Sequence, residues 1–333
     1  TFTGLTHADL HWGDYNTDGN LDFIVCGEDI GGNARTFIYQ SNGTTFTQIS
    51  NHGIVSVTRG AVSWIDFDQD GDLDVVISGA NGSTLLGDVF ENLGNNQFER
   101  LNSLISRVRD GDIAVEDVNG DGFQDIFITG NQKAPGGAGS EQPLVQLYRN
   151  EGFGSFTEII LASNIPDIYL SSVDFGDANQ DTFPDLLLSG KTLAGTNITF
   201  ILVQNPATGF YTNSTTYDIN PQGIAEGDAR WGDFNDDGWQ DFIYSGLDVN
   251  GDPVSHIYYN GQNNSFTRRN VPSFAIQGLG QSSIALGDYN GDRKLDAALI
   301  GSNTSTQSFS LLGNVDSAFN LIPVRPSAVQ ATQ

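Results

Sequence analysis

The chain has 333 residues, with 41 acidic against 14 basic side chains and a formal charge of −27. Such a surface repels phosphate backbones and anionic headgroups, which excludes nucleic-acid binding through clustered cations and a polybasic membrane anchor. No apolar run approaches the roughly 20 residues that span a bilayer, yet 38% hydrophobic and 11% aromatic content supplies a packed core and argues against disorder.

Forty glycines among many Asn, Asp, Ser and Thr place turns at short intervals, the mark of an all-β chain. Cys26 is the single cysteine, so an intrachain disulfide is ruled out. A start at Thr1, with no Met in the sequence, reads as a mature or excised segment.

In chain order, an alternating apolar segment ending His11-Trp12-Gly13 runs into a nine-residue loop with Asp14, Asn16, Asp18, Asn20 and Asp22 at its odd positions. A short apolar run ending at Gly27 follows. The pattern returns at Ser63-Trp64-Ile65 with Asp66, Asp68, Asp70, Asp72 and Asp74, then with Asp117, Asn119, Asp121, Phe123 and Asp125. It returns again with Asp177, Asn179, Asp181, Phe183 and Asp185, and after Arg230-Trp231-Gly232 with Asp233, Asn235, Asp237, Trp239 and Asp241. Asp288, Asn290, Asp292, Lys294 and Asp296 make the sixth copy. Between loops come an aromatic strand with an Asn turn, as in Tyr148-Arg149-Asn150, and a strand led by Phe98, Phe156 or Phe266.

Four period-2 strands per unit, repeated radially, predict β-propeller blades. The expected fold is a single all-β, six-bladed β-propeller over residues 1–333, four antiparallel strands per blade. The steps between loops, continued past the C-terminus to Asp14, use up the chain. The ring is therefore expected to close by sharing N- and C-terminal strands in one blade.

Oxygen ligands at loop positions 1, 3, 5 and 9, a backbone carbonyl at 7 and a turn-forming Gly at 6 match the first half of a calcium loop. Asp-Asn-Asp-Gly alone is common turn chemistry, but six copies in register, each with the ninth-position Asp, specify a cation cage. Hard oxygen donors without His or Cys select Ca²⁺, about six ions, one per loop. The side-chain ligand positions account for 19 of the 41 acids, so much of the acidity is metal coordination. Thr182 and Arg293 stand where Gly is expected, which strains those two turns.

The Gly-Asp-x-Asn-x-Asp-Gly-x-x-Asp loops, with the aromatic-x-Asn turn and following Phe, resemble FG-GAP/VCBS repeats over the whole chain. Such repeats occur in integrin α-subunit propellers, in fungal and bacterial propeller lectins and in secreted bacterial surface proteins. Gly60-Ala61-Val62 is the nearest approach to the Gly-Ala-Pro element, which places the chain closer to the bacterial group. The resemblance implies calcium-stabilised architecture, with adhesion or glycan binding.

Trp12, Trp64 and Trp231 share one register and are expected in the core; Phe123, Phe183 and Trp239 are expected to project from the loop face. Strand positions bordering the channel carry Asp9, Asp112 and Asp228 alternating with Ala61, Ser172 and Ser283, and nearby lie His11, Asp174 and Arg230. Asp9, His11, Asp112, Asp174, Asp228 and Arg230 are candidate ligand-binding residues, or else groups that satisfy one another. His7, His52 and His256 have no metal spacing and are assigned to the surface.

The expected function is that of a secreted, extracellular, non-enzymatic calcium-binding module, monomeric, whose partner is a glycan or a cell-surface protein. Its recognition loops are expected opposite the metal loops, at 131–143, 191–199 and 247–255. Two alternatives stand beside it: a polysaccharide lyase or hydrolase using the channel acids, and a spacer domain of a larger adhesin.

Overall fold

The computed structural model describes residues 2–209, 211–213, 223–262, 265–269, 278–303, 306–315 and 318–321. Each repeat folds into a four-stranded antiparallel sheet whose strands follow in chain order, and six such sheets succeed one another from Thr6 to Leu321. The chain is an all-β propeller of four-stranded antiparallel blades. Among the described residues no helix is long and apolar enough to cross a membrane.

The first strands, Thr6–Gly13, Thr58–Ile65, Ile113–Glu116, Ile168–Gly176, Ala225–Gly232 and Gly280–Gly287, line the centre. Second strands such as Asp74–Asn81 and Asp125–Asn131 are buried almost throughout. That explains their unbroken apolar runs, because a strand covered on both faces has no polar side to show. Five hydrophobic clusters result, one between each consecutive pair of sheets; Ile24 and Cys26 of the first meet Val62 and Ile77 of the second, and Ile243 of the fifth meets Leu299 of the sixth. Cys26 is a small buried hydrophobe, and burial pushes its thiol pKa up.

The expected sharing of strands between the termini is not what is found. Residues 6–49 build the first sheet alone and residues 280–321 the sixth alone. Loop-to-loop spacing measures the period but is unchanged when the blade boundary slides along the chain, so it could not locate that boundary.

The tryptophan register divides the blades. A Cβ on Gly13 would come within 2.6 Å of Trp64 and one on Gly176 within 2.7 Å of Trp231, so a glycine seats the indole of the following blade. Trp64 and Trp231 are accordingly buried, at 4% and 6% exposure, whereas Trp12 is 51% exposed. Among the described residues nothing lies within 4 Å of a Cβ placed on Gly287, the corresponding seat in the sixth blade. The core assignment of Trp12 is corrected here: its neighbours are Phe23 and Phe46 of its own sheet, at ring centroids 4.9 and 6.0 Å away.

Seven residues before each acidic loop stands a non-glycine in the left-handed region: His7, Arg59, Asp110, Leu170, Glu226 and Gln281, with φ between 47° and 53°. In five of the six a register shift marks a bulge there. The turned peptide hands its carbonyl to the next blade: Asp110 N donates to Arg59 O at 2.7 Å and Leu170 N to Asp110 O at 2.5 Å.

Candidate metal loops, central channel and inter-blade cavity

All six acidic loops join first to second strands and therefore gather at one end of the propeller. In five of them the first Asp accepts from the backbone: Asp18 N to Asp14, Asp121 N to Asp117, Asp181 N to Asp177, Asp237 N to Asp233 and Asp292 N to Asp288, at 3.0 to 3.2 Å. The third-position amide accepts from the same N–H in each, as Asn16, Asn119, Asn179, Asn235 and Asn290. The fifth-position carboxylate accepts from the seventh residue: Asp18 from Asn20, Asp121 from Phe123, Asp181 from Phe183, Asp237 from Trp239 and Asp292 from Lys294. One backbone fold thus brings the oxygens of positions 1 and 3 to the same N–H and folds position 5 back on position 7.

The second loop, all acid, differs. Carboxylate oxygens of Asp66, Asp68 and Asp74 lie within 4.8 Å of one another. Asp70 N donates to Asp68 and Asp72 N to Asp70, while among the described residues Asp66 Oδ1 and Asp72 Oδ1 are buried without a hydrogen-bond partner, as is Asp22 Oδ2 in the first loop. Asp66 belongs to both sets, and three close carboxylates with a buried oxygen left unpartnered are what a hard divalent cation satisfies. The donor set fits calcium, with positions 1, 3, 5 and 9 and the carbonyl of position 7 as its holders.

The ninth-position aspartates Asp22, Asp74, Asp125, Asp185, Asp241 and Asp296 are all at most 1% exposed. Burial raises the pKa of five of them, to about 8 for Asp74, about 7 for Asp125, Asp185 and Asp241 and about 6 for Asp22. Neighbouring loop carboxylates push the same way, and a bound cation would relieve both penalties.

Thr182 and Arg293 adopt the glycine conformation, with φ of 72° and 68°. Their amides donate to Asp177 and Asp288 at 2.8 Å, as Gly19, Gly122 and Gly238 do to Asp14, Asp117 and Asp233. The turn is the same and the side chain is strained. Thr182→Gly is therefore expected to raise stability by about 1 kcal/mol, read by urea denaturation; a loss would show that the hydroxyl or methyl has a packing role. Phe123, Phe183 and Trp239 are half-buried, and the Phe123 ring lies over Gly152 of its own blade.

The channel cavity, about 530 Å³, is lined by residues of all six first strands, among them Asp9, His11, Asp112, Asp174, Arg230 and Ile284. The alternating acids are joints. Asp9 accepts from Val62 N, Asp112 from Val173 N and Asp228 from Ile284 N, at 2.9, 3.0 and 2.9 Å, each reaching from one blade to the next. Asp174 likewise accepts from Trp231 N at 2.8 Å, and His11 Nδ1 from Trp64 N at 3.3 Å. Ser172, one of the small alternates, donates to Asp228 at 3.0 Å.

Arg230 is the channel's cation, 3.1 Å from Asp228 and 3.7 Å from Asp174. Burial works against its charge, but Asp228, Asp112, Asp174 and Asp9 outweigh that and raise its pKa. Burial holds Asp112 up at about 7 and Asp174 at about 6, and raises Asp9, with Arg230 pulling all three down.

At the opposite end from the acidic loops lies a second cavity of about 520 Å³ between the first two blades. Its polar lining includes Glu28, Asn33, Thr58, Arg59 and Asn81, with Pro135 of the third blade at its edge. Among the described residues Thr58 Oγ1 is buried without a partner, and the Arg59 guanidinium is held by Asp110 through bonds of 2.7 and 2.6 Å. Nothing in the sequence pattern marks this site, because its residues share no repeat register.

His52 also departs from its surface assignment. It is buried between the first two blades, Nε2 beside Thr36 O at 3.2 Å and Nδ1 accepting from Ile54 N at 3.2 Å.

A family model described as FG-GAP-like repeat matches residues 14–77, 66–128, 117–188 and 233–299. The chain belongs to the FG-GAP-like repeat family. A comparison with curated proteins finds no match. Among solved structures, this FG-GAP-like propeller is similar to the fucose-specific lectin from Aleuria aurantia, at 11% identity and TM-score 0.53, with 96% of each chain covered. It is also similar to AofleA from Arthrobotrys oligospora, at 9% identity and TM-score 0.52, covering 96% of this chain and 87% of that one. At such identities the likeness is one of fold.

Proposed function

We propose that this FG-GAP-like chain is a calcium-loaded, six-bladed propeller that acts outside the cell as a carbohydrate-binding module without enzymatic activity. The observation that carries the ligand reading is the cavity between the first two blades, on the face away from the metal loops. Its volume suits a small polar ligand, and carboxylate, guanidinium, carboxamide and hydroxyl groups are the partners that sugar hydroxyls take. The channel acids, by contrast, already accept backbone N–H groups. Fold likeness to a fucose-specific lectin supports a glycan as the ligand by analogy. Calcium loops of extracellular-module affinity fill at the millimolar concentrations found outside cells.

A glycan array with and without chelator tests this. Binding is expected with calcium, and Glu28→Ala is expected to weaken it about tenfold or more, the loss of a charged hydrogen-bond partner. Binding indifferent to Glu28→Ala but lost in Asp174→Asn would move the ligand to the channel. An array empty of signal would leave the spacer role.

A further inference from the structure

The strand-end residue preceding each fourth-strand turn is not a mere turn former. Asn92, Asn150, Gln204 and Asn260 end the third strands Thr84–Asn92, Pro143–Asn150, Asn197–Gln204 and Pro253–Asn260, and all are buried. Their backbone N–H groups donate to the ninth-position aspartates of their own blades: Asn92 to Asp74, Asn150 to Asp125 and Asn260 to Asp241 at 2.7 Å, and Gln204 to Asp185 at 3.0 Å.

Their side-chain NH₂ groups cross to the preceding blade and donate to the carbonyl of loop position 2. Asn92 reaches Tyr15 O at 3.0 Å, Asn150 reaches Phe67 O at 2.7 Å, Gln204 reaches Val118 O at 2.5 Å and Asn260 reaches Ala178 O at 2.9 Å. The N–H of position 2 in turn donates to the ninth Asp of its own loop, as Phe67 does to Asp74, Val118 to Asp125, Ala178 to Asp185 and Phe234 to Asp241.

The bonds are therefore continuous: ninth Asp, strand-end amide, neighbouring loop, its ninth Asp, and on through five blades. A second tie runs over the top, where Gln180 Nε2 donates to Gly238 O at 2.7 Å from the fourth loop to the fifth.

We propose that this hoop couples the metal loops, so that cation held in one loop favours its neighbours and the loops fill cooperatively. The inference rests on the calcium reading above. The physical ground is that one carboxylate serves both as a cation ligand and as the node that fixes the amide bridging to the next loop. Ordering it for one task orders it for the other. The first blade lacks the link: Ser41 stands in the place of the carboxamide, donating N–H to Asp22 at 2.6 Å but having no NH₂ to send onward. In the sixth sheet Ala297 pairs with Leu312, which puts Asn314 at the linking register.

The test is Asn260→Ser, which copies the first blade's residue into the joint between the fourth and fifth loops. Calcium titration calorimetry is expected to show two of the sites weakened about tenfold, with a lower Hill slope than the parent. Asn260→Gln, which keeps a donor as Gln204 does, is expected to recover both. A calcium isotherm unchanged in Asn260→Ser, with only the calcium-free melting temperature lowered, would make the hoop a structural staple and overturn the coupling. Should that variant not fold, Asn92→Ser repeats the measurement at the joint of the first two loops. A parent protein that takes up no calcium overturns the calcium reading itself, a result separable from failed coupling.

Discussion

Chelating calcium from the protein is expected to lower its melting temperature by more than about 20 °C. A site held at a hundredfold excess over its Kd contributes about 2.7 kcal/mol, so six contribute about 16 kcal/mol. In a chain of this length about 1 kcal/mol moves the midpoint by about 1.4 °C. The pH dependence should reverse as well. Without cation, Asp22, Asp74, Asp125, Asp185 and Asp241 have folded-state pKa values raised by burial to between about 6 and about 8, against roughly 3.9 unfolded. A raised value means that the folded state binds protons more tightly. That contribution is complete below about pH 4 and is lost as pH climbs through the folded values. Bound calcium holds the same carboxylates ionised and drives their folded pKa below the unfolded one, so the loaded protein loses stability as pH falls. Calorimetric scans should show the midpoint in EGTA falling as pH climbs from about 5 to about 8, and the midpoint in calcium level over that range and falling only below about pH 4. Parallel slopes and a midpoint indifferent to chelator would reduce the loops to plain turns.

Replacing Arg230 by Met is expected to cost about 3–5 kcal/mol at pH 7.5 in saturating calcium, because removal of one member of a buried charge group strands the others. The guanidinium is the counter-charge for Asp228, Asp174, Asp112 and Asp9. With it present, burial already holds Asp112 at about 7 and Asp174 at about 6; without it they rise further. Both sit above the unfolded value, so the penalty is largest at high pH and fades as they take up protons. Urea denaturation at pH 7.5 and pH 5.5 should find the Arg230→Met deficit markedly smaller at the lower pH. An equal deficit at both would assign the loss to packing of the side-chain stem.

The fold was legible wherever a physical demand repeats with the blade. Gly, Asn and Asp at fixed intervals gave the turns, unbroken apolar runs gave the doubly covered second strands, and the recurrent Asp and Asn gave the acidic loops that join first to second strands. Bonds between blades were not legible. Asp9, Asp112 and Asp228 read as channel acids, yet each fastens one first strand to the next. Asn150 reads as a turn residue, yet its carboxamide crosses to Phe67. Residues as unlike as His7, Arg59, Asp110, Leu170, Glu226 and Gln281 share a left-handed backbone, and no local preference unites them. The conformation is set by the sheet bulge and the neighbouring strand.

By itself, then, the sequence determined a propeller of six acidic loops and four-stranded repeats, because strand alternation and turn chemistry are local in the chain. The tertiary structure alone decided where a blade begins, which acids are joints and why Trp12 differs from Trp64. Each of those depends on what the adjacent blade presents, and residues about 50 positions apart carry no shared periodicity to announce the contact.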